Sequence, residues 1–273
     1  MITPYSNIIS VTTLEALDAD YQAVLDYATT QAYTLPSAGQ QTLQNQLLVD
    51  LKDAGVWSKL GTFVMMANDS ADYRFAFIDW KRLVDYSPIS SIDSTYVQNR
   101  GFYGDGIGMG IDTNFNLSTN TSVYNQNDAH KMIWKYEDSV NYPKNANAMD
   151  GVVGRSGYNS SKMTNSNQHR LNSSTNYSGS NAQGGDYGFY SLSRNTSSTF
   201  NSYTRDSTDI SMVVENATSA SISLVNDDAS IFLGQTSFGV GQFMATAYSL
   251  GLYLDATEID NYYSALNTYI STL

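Results

Sequence analysis

The chain has 273 residues, 41% of them hydrophobic and only 15% charged, and its 14 basic and 26 acidic residues give a net charge of −12. That balance repels phosphate backbones and anionic lipid, and no Lys/Arg-rich run overrides it, so nucleic acid is excluded as the main partner. The absence of cysteine removes disulfide frameworks, thiolate metal sites and cysteine nucleophiles, and no apolar run reaches the ~20 residues of a membrane-spanning helix, so no membrane insertion is expected.

Asn, Ser, Thr and 21 Tyr replace the usual charged surface, a composition suited to rigid β structure exposed outside a cell. Met1–Ser6 carries neither the basic nor the apolar stretch of a signal peptide. Together these lead to the expectation of a protein folded in a reducing cytoplasm that works outside afterwards, as a virion component does.

In chain order, Leu14, Leu17, Tyr21, Val24, Leu25 and Ala28 recur at helical spacing, with Thr12 or Thr13 as the expected N-cap. After Pro36 a second helix presents Leu43, Leu47, Leu48 and Leu51 on one face and stops at Gly55. Residues 12–58 are therefore expected to form a helical hairpin within an N-terminal segment, 1–60. Its apolar stripe needs a cover, from the sandwich, a neighbouring subunit or another virion protein.

From Thr62 to Leu254 the helical period fades. Short β-rich runs are separated by Asn, Gly, Ser and Asp: Thr62–Met66, Tyr73–Ile78, Gly151–Val153, Tyr187–Leu192, Asp209–Val214, Ser219–Val225, Ser230–Leu233 and Gln242–Leu252. Strands at this spacing predict an antiparallel sandwich or barrel. Residues 156–182, rich in Ser and Asn, read as a long loop or as edge strands. Asp255–Glu258 has the capping-box pattern, and Ile259, Tyr262, Tyr263, Leu266, Tyr269, Ile270 and Leu273 then form the stripe of a terminal helix docked on the sandwich.

The order of segments Leu47–Leu60, Phe77–Lys81, Arg100–Gly106, Gly110–Asn116, Tyr187–Ser191 and Asp255–Leu273 resembles that of tailed-phage virion structural proteins carrying a concanavalin A-like (laminin G-like) jelly roll. The resemblance covers residues 40–273. It implies a mainly β fold: an antiparallel jelly-roll sandwich over 61–273, with the helical segment before it and the helix at its end. It further implies a head or tail appendage that contacts other virion proteins and its own copies, with a host-surface glycan as a further partner. No family motif for calcium or catalysis carries over onto these residues.

The chemistry-bearing residues are few. His130 and His169 stand far apart in polar sequence and read as surface histidines; neither a metal triad nor a Ser-His-Asp set can be assembled from them. Of the four glutamates, Glu15 and Glu258 fall on helices, Glu137 pairs with Asp138, and Glu215 begins a turn. None forms the carboxylate pair that glycoside hydrolysis requires. The glycines between Gly101 and Gly110 spell turns rather than a phosphate cradle. Asp105, Asp150, Asp227 and Asp228 could supply oxygen ligands, which makes calcium the one cofactor to consider where none is expected.

Trp57, Phe75, Phe77 and Phe189 are expected in the core, whereas Tyr96, Tyr103, Tyr158, Tyr177 and Tyr203 are expected at a polar surface suited to sugar stacking. The resulting expectation is a virion structural protein with no catalytic residues and not an enzyme. A carbohydrate-active enzyme of the same jelly roll is the alternative.

Overall fold

A computed structural model of the protein describes residues 16–89, 95–104, 110–136, 150–152, 168–173, 175, 177–178, 187–206, 211–232 and 243–273. The fold is the expected antiparallel sandwich. The large sheet runs, in spatial order, Val213–Thr218, Thr199–Asp206, Gly188–Arg194, Ala129–Tyr136, Met244–Gly251, Gly101–Tyr103 and Tyr96–Val97. Met244–Gly251 shares one edge between two partners: its start pairs with Gly101–Tyr103 and its later residues with Leu60–Met65. The smaller sheet runs Ser87–Pro88, Ile111–Asn116, Asp228–Ile231 and Asp150–Val152.

A bulge between Ala245 and Ala247 makes that sharing work. The Thr246 carbonyl accepts from Met66 N at 2.8 Å and Ala67 N at 3.2 Å, while its hydroxyl donates to Arg100 O at 2.8 Å. The extra residue puts Ala245, Tyr248 and Leu250 on the inner face and Ala247 on the outer one. Close approach here requires glycine: a Cβ on Gly101, whose φ is +114°, would lie 1.9 Å from Ala245 O.

The large sheet is buried on both faces. Inside, Ile133, Tyr190, Tyr248 and Leu250 meet Ile111, Phe115, Ala229 and Ile231 of the smaller sheet. Outside, Met132, Trp134, Phe189, Tyr203 and Ala247 meet three helices. These are α1 (Ala19–Thr30), α2 (Ala38–Asp53) and α3 (Ala256–Ile270). The chain's own sheet thus covers the stripe Tyr21, Val24, Leu25, Leu47, Leu48 and Leu51. A buried polar knot ties the helices together: Tyr21 Oη donates to Gln44 Oε1 at 2.6 Å, Gln40 and Gln44 donate to Tyr269 Oη, and Tyr269 donates to Ala67 O at 2.7 Å.

The cap of α3 is as expected, with Asp255 accepting from Glu258 N and the Glu258 carboxylate accepting from Asp255 N, each at 2.9 Å. The start of α1 differs: Asp18, not Thr12 or Thr13, caps it by accepting from Asp20 N, and residues 1–15 lie outside the described residues. Tyr73–Phe77 is a 3-10 turn leading into the strand Ile78–Asp79, because Asp72 accepts from Arg74 N at 3.1 Å and holds its guanidinium at 2.7 Å. Ser219–Val225 makes only an isolated bridge at Ser221; its backbone groups are engaged by Ser197, Ser198 and Asn172. Four strands of the large sheet were not anticipated: the long Ala129–Tyr136 and Thr199–Asp206, and the short Tyr96–Val97 and Gly101–Tyr103, the last at the start of the run read as turns.

Candidate functional site

Several residues nominated by the sequence are structural. His130 is fully buried, not on the surface, because its strand lies between two packed layers. Its Nδ1 lies 2.6 Å from Leu252 O, which can only accept, so Nδ1 carries the proton. Nε2 then accepts from Ser249 Oγ at 3.2 Å, and Ser249 accepts from Tyr262 Oη at 2.9 Å. Burial pushes the imidazole down to about 4, so the ring is neutral at pH 7. His169 lies in a separate two-residue ladder opposite Tyr177.

Glu258 caps α3 and pairs with Lys59 at 2.6 Å. Glu215 lies within the strand Val213–Thr218, opposite Ser202, rather than at a turn. Asp227 accepts from Asp228 N at 3.0 Å. Both add to the burial that raises the nearby Asp112 carboxyl. No group of three His, Cys, Asp or Glu side chains among the described residues is placed to hold a metal. Glu15, Glu137, Asp138, Asp105 and Tyr158 lie outside the described residues.

The tyrosines divide. Tyr203 is 1% exposed and belongs to the core under the helices, against expectation, because the sheet face it shares with Phe189 is covered by α3. Tyr96 is half-buried, donating to Asn68 O at 3.0 Å, and Tyr177 packs edge-on against Phe200 at 6.3 Å. Tyr103 is half-buried.

A concave, chemically mixed surface lies elsewhere, between α3 and strands of the large sheet. One hollow, of about 340 Å³, is lined by Trp134, Tyr136, Tyr187, Arg205, Tyr263 and Asn267, among others. A second, of about 510 Å³, is lined by Tyr203, Arg205, Met212, Val214, Thr257, Asp260 and Asn261, among others. Arg205 borders both, and the two hollows, one after the other along α3, are together termed the groove. Each volume falls in the roughly 300–1,000 Å³ span of small-molecule sites.

The groove floor is a stack. Trp134 and Tyr263 lie nearly parallel, 19° apart with centroids at 5.6 Å, and the Arg205 guanidinium sits 4.0 Å above the Tyr263 ring. Phe189 buttresses Tyr263 edge-on at 5.8 Å, and Tyr263 Oη donates to Asn267 Oδ1 at 3.2 Å. Strand alternation places Trp134 and Tyr136 on the helix-facing side with His130 and Met132. The opposite face carries Lys131 and Lys135, which are also buried, so this strand shows no apolar–polar alternation. The sequence reading therefore missed Trp134, Tyr136 and Arg205 as a group. It placed Tyr263 in the helix stripe without seeing that one edge of that stripe stays open. A Trp-x-Tyr pair on a strand opposite a helix tyrosine was the available signal.

No protein-family model matches the chain, and no curated protein is similar to it. Solved structures similar to it include a Trypanosoma rangeli sialidase, with 14% identity over 85% of this chain and 39% of that one and a TM-score of 0.46. Another is the binding domain of botulinum neurotoxin serotype D, 10% identical over 83% of this chain and 53% of that one, at 0.43. A third is domain 4 of AbnA, a GH43 extracellular arabinanase from Geobacillus stearothermophilus in complex with arabinotriose, 12% identical over 74% of this chain and 98% of that one, at 0.36.

The chain spans about two fifths of the sialidase's length. The expectation that it is not an enzyme is corrected by these matches: the similar structures include a sialidase solved as a covalent intermediate and a variant with trans-sialidase activity. A fold of this type does not exclude catalysis. At 10–14% identity the likeness is one of fold, and the activities belong to those proteins.

Proposed function

We propose that this chain is a structural component of a tailed-phage virion that contacts host-surface saccharide through the groove beside α3. The observation that carries the saccharide contact is the Trp134–Tyr263–Arg205 stack, with Asn267, Thr257, Asp260 and Asn261 around it. Trp134 is buried beneath this stack, and it is the half-buried rings of Tyr136, Tyr187 and Tyr263, flanked by hydrogen-bonding side chains, that complement a pyranose with its C–H face and rim of hydroxyls. The particle role draws its support from the charge-poor, cysteine-free composition and from the segment order that resembles phage jelly-roll proteins. On this reading the partners are other virion proteins, further copies of the chain and the host glycan.

A single shallow groove of this kind binds weakly, near ~1 mM or about −4 kcal/mol. Adhesion then rests on many copies, since linked sites raise avidity by ~10²–10⁴ without new contacts. The test is a glycan array probed with monomer and with multivalent display, with substrate turnover followed in the same samples. Retention in the multivalent format that Tyr263→Ala abolishes is the expected result. No retention in either format refutes the saccharide contact, and electron microscopy of a particle lacking the chain refutes the virion role.

A further inference from the structure

We propose that the saccharide held beside α3 bears a carboxylate and that Arg205 receives it, an inference that rests on the groove being a saccharide site. The argument begins with charge accounting. The chain has 26 acidic residues against 14 basic ones, so carboxylates are plentiful. Among the described residues four other cations pair with five of them: Lys52 with Asp18 and Asp20, Lys59 with Glu258, Arg74 with Asp72 and Arg82 with Asp79. Arg205 makes no ion pair among the described residues, although Asp260 lines the same 510 Å³ hollow.

Its position is nonetheless fixed. The guanidinium lies 4.0 Å above the Tyr263 ring, which is itself stacked on Trp134 and buttressed by Phe189. A cation held over an aromatic face keeps its in-plane N–H fork for other acceptors. Bidentate pairing with a carboxylate matches that fork better than hydroxyls do, and a pre-positioned side chain loses little freedom on binding. An anionic sugar ring beside Tyr263 would use the fork and the aromatic floor together.

The groove is also polarised. Asp260, with Thr257 and Asn261, lies toward the start of α3, whereas Tyr263 and Asn267 lie further along it. A second carboxylate is repelled at the Asp260 end, where neutral hydroxyls are the suitable donors. The net charge of −12 gives no general attraction for anions. Preference for an acidic sugar must therefore come from Arg205 itself.

The test uses the full chain and paired ligands: uronic oligosaccharides and the same oligosaccharides with each carboxylate reduced to hydroxymethyl, titrated by ligand-observed NMR in 150 mM salt. Wild type is expected to bind the acidic member about tenfold or more tightly, the size of one charge-assisted bidentate contact. Arg205→Gln should equalise the two without changing the melting temperature, and Arg205→Lys should restore part of the preference. Equal binding of both members by wild type overturns the inference while leaving the saccharide site standing, as does a preference that survives in Arg205→Gln. Binding of neither member overturns both.

Discussion

Acidification should weaken this fold through one residue, His130, between pH 6.5 and 4. In the unfolded chain an imidazole titrates near its ordinary value of 6.5; in the fold, burial, together with the charge of nearby Lys59, lowers it to about 4. The unfolded state therefore binds more protons across that window, and stability falls as pH falls. A separation of about 2.5 pH units at about 1.36 kcal/mol each gives about 3 kcal/mol in full, of which about 2 kcal/mol is lost by pH 5. The structural origin is plain. A protonated ring would bring a second N–H to Nε2, where Ser249 Oγ already receives the Tyr262 hydroxyl proton, and would place a charge between two apolar layers.

Reversible urea unfolding at pH 7.5, 6 and 5, followed by tryptophan fluorescence, measures the effect. His130→Asn keeps a donor toward Leu252 O but has no titrating ring, so subtracting its profile removes the contribution of the other titrating groups, including Asp112, whose carboxyl is raised by burial. The variant should be less stable than wild type at pH 7.5, and the gap should narrow by about 2 kcal/mol at pH 5. Parallel profiles for the two proteins would refute the assignment of a neutral, buried His130.

Tyr269→Phe deletes the hydroxyl that joins Gln40, Gln44 and Ala67 O; leaving those buried groups unpaired should cost about 3 kcal/mol in urea unfolding, and a change below 0.5 kcal/mol would contradict the network. Gly101→Ala forces a Cβ to 1.9 Å from Ala245 O at a φ of +114°, so soluble expression should collapse, and a folded variant with wild-type circular dichroism would rule that contact out. Leu266 is fully buried on the sheet-facing side of α3: Leu266→Asp should unfold the protein by burying an unpaired charge, whereas Leu266→Met should cost less than about 1.5 kcal/mol, and a soluble, native-like Leu266→Asp would count against the docking of α3.

The elements that are legible in the sequence are those whose signal is local. The α3 cap and stripe can be read because Asp255 and Glu258 act three residues apart and the buried positions follow the helical period. Leu47, Leu48 and Leu51 likewise declare a helix face. Ala129–Tyr136 cannot be read this way. Both of its faces are buried, one under helices and one within the sandwich, and the inner face carries Lys131 and Lys135, so no apolar–polar alternation survives. The run Thr199–Asp206 hides for a related reason, since its polar residues Ser202 and Thr204 are buried too.

Composition and periodicity by themselves determined a charge-poor antiparallel β sandwich with helices at both ends, because those features depend on residue type and short spacing. Tertiary structure alone decided that His130 is a neutral core group, that the hairpin stripe is covered by the chain's own sheet, and that Trp134, Arg205 and Tyr263 meet in one groove. Those three come from separate elements, the last of them about 130 residues after the first, and only the stacking of α3 on the sheet brings them within 6 Å of a neighbour. Contacts of that kind are set by packing between layers, which no local pattern encodes.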